Sequence, residues 1–248
     1  MIDAMPMKNS YICQLMKIFV ISLPEAKERR ELIDQQMSAA GLAYSIIDGI
    51  RPTAAQIQSS GYNVRQRHFR YGYGMSAGEV GCFLAHRTAW QAVQAQHEKC
   101  LILEDDAVVS ELNSFLLECL QHSPYGLIRL AGSFRKRHKF IGNTTYAKYW
   151  GDPAGTVAYV IGPQEAKKLL EKSGSFYMAV DDFMEARQMH GVHTYARFPY
   201  PVRHSGQDSH INDRNRPPLF VPTRLRRMLV RIPGDLSKYF YRLAYWYF

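Results

Sequence analysis

Residues 17–23 read KIFVISL, an apolar run with hardly a polar break. A strand with one wet face alternates apolar and polar residues, whereas an unbroken run belongs to a strand covered on both faces, as in α/β sheets with helices above and below. That requirement shapes the reading of the next residues. Pro24 opens a segment, EAKERRELIDQQMSAA, in which Ala26, Ile33, Met37 and Ala40 recur at helical spacing until Gly41 supplies a stop. Residues 43–47 form a second strand, ending at Asp48-Gly49. Strand, helix and strand in this order predict a parallel pair joined by a right-handed crossover.

Farther along, residues 51–75 are polar, with Arg65, Arg67, His68 and Arg70 interleaved among Tyr62, Phe69, Tyr71 and Tyr73, and are read as a long functional loop. Ser76 and Glu79 make a capping-box pattern before Val80, Phe83, Leu84, Trp90 and Val93, which share a helical stripe. An apolar segment around residues 127–130, a basic loop at 135–139, a strand at 156–161 and a helix between Pro163 and Gly174 complete the pattern.

The chemistry is concentrated where the run Cys100-Leu101-Ile102-Leu103 ends in Glu104-Asp105-Asp106. The run predicts a buried strand, so three carboxylates stand where the strand leaves the core. Like charges packed that closely are costly unless a cation or hydrogen-bond donors answer them. Alternation along a strand sends Glu104 and Asp106 into one cleft and Asp105 the other way. Carboxylate oxygens in such a cleft suit Mg²⁺ or Mn²⁺, which bind through one or two carboxylates plus substrate phosphates. A solvated acidic turn after an ordinary strand is the competing reading.

The 248 residues are 46% hydrophobic, enough for a sizeable core, and carry a formal charge of +9. The charge implies an anionic partner, be it nucleic acid, acidic lipid, phosphorylated glycolipid or nucleotide. Cys13, Cys82, Cys100 and Cys119 show no CxxC spacing and lie in apolar segments, so they read as small buried hydrophobes rather than zinc ligands or disulfides. Residues 1–16 lack the continuous apolar core of a signal peptide, and no apolar run is long enough to span a bilayer, so a cytoplasmic protein is expected. From Arg224 to Phe248, six cationic residues face the single acid Asp235, and aromatic residues crowd after Lys238. Such a tail suits an anionic membrane surface, the inner membrane here, or else a helix packed on its own domain.

The blocks FVISLPEAKERRELIDQQM, AYSIIDGI, SAGEVGCFLAHRTAW, LILEDDAVV, GTVAYVIGPQEAKKLL and AVDDFM occur in this order. Taken together, the series resembles glycosyltransferase family 25, which includes the bacterial lipooligosaccharide galactosyltransferases. The resemblance implies an α/β, GT-A-like nucleotide-sugar-binding fold with a mixed, mostly parallel central sheet over residues 17–220, between an extension (1–16) and the tail (221–248). It further implies transfer of a sugar, usually galactose, from a UDP-sugar to a lipooligosaccharide, with inversion, with Mn²⁺ or Mg²⁺, and with no nucleic-acid partner.

Residue by residue, the resemblance implies Asp106 as metal ligand, helped by Glu104, which serves either the metal or the ribose hydroxyls of the substrate, and by a late histidine, His204 or His210. Asp181 and Asp182 match the family's acidic pair and are the candidates for the base that deprotonates the acceptor hydroxyl; they also suit an N-cap and first-turn acid. Nucleotide recognition falls on Ser22, Leu23, Arg29 and Arg30, on Asp48 and Gly49 at the same sheet edge, and on Asp105, with Glu79, Gly81 and His86 as family-matched positions. The acceptor is expected against the loops at 62–73 and 135–139. A glucosyltransferase of the same family, a metal-dependent nuclease and a non-catalytic glycolipid-binding protein are the rival readings.

Overall fold

The computed structural model describes residues 16–132, 137–150 and 155–206, together with Leu236 and Tyr239. In chain order the elements are β1 (Lys17–Ser22), α1 (Lys27–Ala39), β2 (Ser45–Asp48), α2 (Ala54–Ser59), α3 (Val64–Tyr71), α4 (Ala77–Gln94), β3 (Cys100–Glu104), β4 (Ala107–Val108) and α5 (Ser114–Gln121). There follow β5 (Leu127–Arg129), β6 (His138–Phe140), β7 (Tyr146–Tyr149), β8 (Ala158–Ile161), α6 (Pro163–Ser173), α7 (Val180–Glu185), α8 (Arg187–His190), β9 (Tyr195–Arg197) and β10 (Arg203–His204).

An eight-stranded sheet runs in the order β2-β1-β3-β8-β5-β9-β7-β6. The pairings of β1 with β2 and β3, and of β5 with β9, are parallel; those of β8 with β3 and β5, and of β7 with β9 and β6, are antiparallel. Strands β2, β1, β3, β5, β9 and β6 therefore point one way and only β8 and β7 the other, so the sheet is mixed and mostly of one direction, as expected. A separate two-stranded ribbon joins β10 to β4.

The unbroken apolar runs behave as their composition requires. Ile18 and Val20 pack with Ile33 and Met37 of α1 on one face, while Phe19 and Ile21 pack with Val80, Phe83 and Trp90 of α4 on the other. Strand β3 divides the same way, Leu101 and Leu103 facing α1 and α5, Cys100 and Ile102 facing α4. Each such side chain, fully buried, contributes about 1.5–3 kcal/mol, which ties the ends of β1 and β3 into one rigid edge.

Several boundaries differ from the sequence reading. Helix α1 begins at Lys27, after a turn at Pro24, and β2 begins at Ser45. The stretch 51–75 is not a loop: α2 is opened by a capping box of Thr53 and Gln56, and α3 by Asn63, closing on Gly72 at φ 81°. Both helices are too short and too polar for a periodic apolar stripe, so only their caps announced them. Arg67 is buried, its guanidinium lying 4.0 Å from the Tyr71 ring centre and 5.1 Å from that of Tyr73, so these rings cover a cation rather than forming an open platform.

At the other expected acceptor loop, His138 and Lys139 belong to β6, while Arg135 and Lys136 lie outside the described residues. Cys82, Cys100 and Cys119 are free thiols; Cys119 is exposed, contrary to the reading of all four as buried, and Cys13 lies outside the described residues. Apart from Leu236 and Tyr239, the tail is likewise outside them. Among the described residues no helix is long and apolar enough to cross a membrane.

Candidate active site

Parallel register aligns Ile21 of β1 with Glu104 of β3, so the two central strands finish together at one sheet edge, the place where open α/β sheets bind ligands. The chain turns directly after Glu104, and the strand alternation ends with it. Asp105 therefore does not point away: Glu104, Asp105 and Asp106 all line one pocket with Ser22, Leu23, Arg29, Gly49 and His86. The expectation of a split triplet fails because Asp105 donates its N–H to the carbonyl of Ile21 (3.1 Å) and its side chain follows the turn.

The three carboxylates have three environments. Asp105 is saturated, accepting from Ser22 Oγ at 2.7 Å and pairing with Arg29 Nη1 at 2.8 Å. Burial still holds its carboxyl above the ordinary value, against the pull of Ser22 and Arg29. Glu104 accepts at Oε1 from Thr156 and from His86 Nε2, 3.2 Å away. Burial works to raise its carboxyl, but the His86 contacts, with Thr156, bring it below the usual carboxylate range.

Asp106 differs from both. Its Oδ2 lies 3.1 Å from His204 Nε2 and 3.9 Å from Arg29 Nη1, while its Oδ1 is buried with no hydrogen-bond partner among the described residues. Burial, then the charge of Glu104, push its carboxyl up to about 6. A buried carboxylate oxygen without a partner is costly, and an adjoining imidazole gives it a second donor atom of the type that transition-metal dications accept. The residues present thus fit a divalent cation of the Mn²⁺ or Mg²⁺ class, with Asp106 and His204 as donors; Glu104 adjoins them, but its Oε1 is engaged by His86 and Thr156.

His86 is held in one tautomer. Trp90 can only donate, and its Nε1 reaches the Tyr159 hydroxyl at 2.9 Å; that hydroxyl lies 2.8 Å from His86 Nδ1. With a carboxylate at Nε2, the ring proton belongs on Nε2, so Tyr159 donates to Nδ1 and the chain runs Trp90, Tyr159, His86, Glu104. Cys82 stands one helical turn before His86 on α4, and the ligand atoms of Cys82, His86 and Glu104 lie within 4.8 Å of one another. Burial, reinforced by the surrounding carboxylates, pushes the Cys82 thiol well up, which keeps it neutral and unreactive.

The remaining sequence candidates are spread around this centre. Arg30 donates to the carbonyls of Ser22 (2.9 Å) and Leu23 (3.0 Å) and to the Asp48 carboxylate, so it fastens β1 to β2 and leaves the pocket wall to Arg29. Glu79 closes the α4 capping box on the Ser76 N–H at 2.7 Å. Gly81 is explained by packing, since a Cβ there would lie 2.3 Å from the carbonyl oxygen of Ile50.

Asp181 and Asp182 both occupy the first turn of α7, whose N-cap is Ala179 without a side-chain cap, so neither is the capping residue expected. Asp181 is half-buried and among the charges that raise the Cys82 thiol, which sets it beside the pocket; Asp182 is exposed. His210 lies outside the described residues. Thr156, Tyr159 and Cys82 escaped the sequence reading. The four-residue spacing of Cys82 and His86 on one helix face was the available signal for the cysteine.

A Drosophila melanogaster protein named glycosyltransferase 25 family member is 27% identical over 79% of this chain and 37% of its own. Human procollagen galactosyltransferase 2 is 24% identical over 86% of this chain and 41% of its own, so this chain spans roughly two fifths of the length of such relatives. Structural likeness to solved proteins is distant: a Bacillus anthracis protein assigned as a glucose-1-phosphate thymidylyltransferase aligns over 87% of this chain and 95% of its own with a TM-score of 0.41 and 11% identity. The model of glycosyltransferase family 25, described as an LPS biosynthesis protein family, matches residues 15–184. The chain, matched over most of its length, belongs to glycosyltransferase family 25.

Proposed function

We propose that the protein is an inverting, metal-dependent galactosyltransferase that transfers galactose from UDP-galactose to a lipooligosaccharide or lipopolysaccharide acceptor. The observation that carries this reading is Asp106: a buried carboxylate with one oxygen unpartnered and the other on His204, at the sheet edge of a family 25 chain. Galactose as donor sugar is supported by relatives named galactosyltransferases, and the acceptor class by the family description.

When bound at Asp106 and His204, Mn²⁺ or Mg²⁺ supplies positive charge to the departing pyrophosphate. The residues of this chain do the rest. Ser22, Leu23 and Gly49 form the wall for the nucleotide, and Arg29, already fixed by Asp105, presents a guanidinium to the phosphates. Asp181 accepts the proton of the acceptor hydroxyl as its oxygen attacks the anomeric carbon. The bond from that carbon to the β-phosphate oxygen breaks with its electron pair going to UDP, and attack from the opposite face inverts the centre. Asp181 suits the role better than exposed Asp182 because a half-buried carboxylate at a helix start is held in place.

The enzyme works at the cytoplasmic face of the inner membrane as a peripheral protein, a reading supported by the +9 charge and the basic, aromatic composition of residues 221–248. Nucleic acid has no place in it. The decisive experiment measures UDP-galactose and UDP-glucose hydrolysis and transfer with and without Mn²⁺. Metal-dependent turnover of UDP-galactose is expected; turnover of UDP-glucose alone would make the enzyme a glucosyltransferase, and metal-dependent DNA cleavage without sugar transfer would end the reading.

A further inference from the structure

Cys82 and His86 stand one helical turn apart on the same face of α4, and Glu104, at the end of β3, meets them there. The ligand atoms of the three side chains, one sulfur, one ring nitrogen and one carboxylate oxygen, lie within 4.8 Å of one another. Among the described residues no other three histidine, cysteine or acidic side chains gather so closely. Transfer as proposed uses neither Cys82 nor His86.

Thiolate, imidazole and carboxylate are the ligand types of zinc, which sits tetrahedrally at about 2.3 Å from sulfur and about 2.0–2.2 Å from nitrogen or oxygen. Nitrogen and oxygen ligands on such a tetrahedron are about 3.3 Å apart. His86 Nε2 lies 3.2 Å from Glu104 Oε1, so that edge is built. The other ring nitrogen is held too, 2.8 Å from the Tyr159 hydroxyl, the kind of partner that orients a metal-bound histidine. All three side chains line the cavity of about 120 Å³ that Ser22, Leu23 and Arg29 also border, and Cys82 and Glu104 are partly exposed. An ion reaches them through this cavity and keeps its fourth position open toward it.

Electrostatics favours the same occupant. Glu104, Asp181, Asp106 and Glu79 surround the Cys82 thiol with negative charge, which keeps a proton on the sulfur and equally draws a dication to it. A thiol that coordinates gives up its proton, here to solvent. His86 exchanges the proton on Nε2 for one on Nδ1, donated to the Tyr159 oxygen; that oxygen has two lone pairs, one taken by Trp90, and its own proton turns aside. Cys82 and Glu104 then neutralise the ion. We propose that Cys82, His86 and Glu104 form a site for a soft divalent cation of the zinc class, separate from Asp106 and His204, and that its occupation shuts out the sugar-nucleotide donor. A thiolate selects such a metal, whereas the carboxylate and single imidazole of Asp106 and His204 suit Mn²⁺ or Mg²⁺. The blocking effect rests on the donor reading of the cavity, while the ion site stands without it.

The test uses the full chain as wild type, Cys82→Ala, Cys82→Ser and Cys119→Ser, the last because Cys119 is an exposed free thiol. Cobalt(II), a coloured stand-in for zinc, should give the wild type a sulfur-to-cobalt charge-transfer band and the strong visible absorption of a tetrahedral site, and added Zn²⁺ should bleach both. The Cys82 variants should lose the charge-transfer band and bind Zn²⁺ at least about a hundredfold more weakly; Cys119→Ser should keep both properties. With Mn²⁺ fixed, Zn²⁺ at about ten times its Kd should raise the apparent KM for UDP-galactose about tenfold in the wild type, and the same concentration should leave KM of the Cys82 variants nearly as it was without zinc.

Should Cys82→Ala fail to fold, Cys82→Ser, which keeps the volume, carries the comparison. If both fail, X-ray absorption of the zinc-loaded Cys119→Ser protein must show a sulfur neighbour at about 2.3 Å, and its absence overturns the site. A wild type without the charge-transfer band, or a band that survives both Cys82 substitutions, overturns it as well. Inhibition that excess Mn²⁺ relieves equally in wild type and Cys82 variants puts zinc at Asp106 and His204 and overturns the blocking role, as does zinc binding with no change in KM. A wild type that transfers no sugar removes the galactosyltransferase reading, and the cobalt spectra still decide the metal site.

Discussion

His204 places its Nε2 3.1 Å from Oδ2 of Asp106, joining the ribbon strand β10 to the turn that follows β3. The contact is made possible by antiparallel pairing of His204 with Ala107, the residue next to Asp106, and by donation of the Ser205 N–H to the Asp106 carbonyl at 2.9 Å. Among the described residues it leaves Oδ1 of Asp106 buried and unanswered.

Replacing Asp106 by asparagine removes a charge that the folded, metal-free protein holds poorly. The carboxyl sits at about 6, above the ordinary carboxylate value, because of burial and then the charge of Glu104. A carboxyl raised in this way favours folding fully only below its unfolded value of about 3.9, and that advantage is lost as pH rises through about 6. Metal-free Asp106→Asn should therefore melt above the wild type at pH 8, and the gap should close between pH 6 and pH 4. Mn²⁺ should raise the wild-type midpoint and not that of the variant, and metal-dependent UDP-galactose turnover should fall at least about a hundredfold.

Asp181→Asn should lower kcat by about 10²–10⁴, the usual worth of a general base. Asp182→Asn, at the exposed neighbour, should change kcat by far less; equal losses at the two positions would remove the distinction drawn from burial.

Tyr159 supports the site from behind. Tyr159→Phe deletes the hydroxyl shared by Trp90 Nε1 and His86 Nδ1, two buried groups with no other partner among the described residues. Each group so stranded costs about 1–3 kcal/mol, which urea unfolding would read as a lower midpoint at unchanged slope. The freed imidazole should also hold Glu104 less well, giving a higher apparent pKa for that carboxyl by NMR titration.

Gly81→Ala sets helix propensity against packing. Alanine is favoured over glycine inside a helix by about 1 kcal/mol, yet a Cβ at Gly81 meets the Ile50 carbonyl oxygen at 2.3 Å and Pro52 Cδ at 3.0 Å. The backbone of the 50–52 segment must move, and overpacking of this kind costs about 1–3 kcal/mol. The variant should melt below the wild type and bind UDP-galactose more weakly, because Ile50 also lines the pocket of Ser22 and Arg29 proposed for the nucleotide.

The chain announces its own local architecture. Continuous apolar runs made β1 and β3 two-sided strands, helical spacing and Gly41 bounded α1, Ser76 with Glu79 capped α4, and Pro163 opened α6, because each of these is decided by neighbours within a few residues. The acidic triplet at the tip of β3 was visible for the same reason. What pairs with it was not. The turn after Glu104 that gathers Asp105 into the pocket, the approach of His204 to Asp106, and the engagement of Arg30 by Asp48 all join residues far apart in sequence. Such relations depend on which strands lie side by side and where each ends, and only the packed sheet determines that.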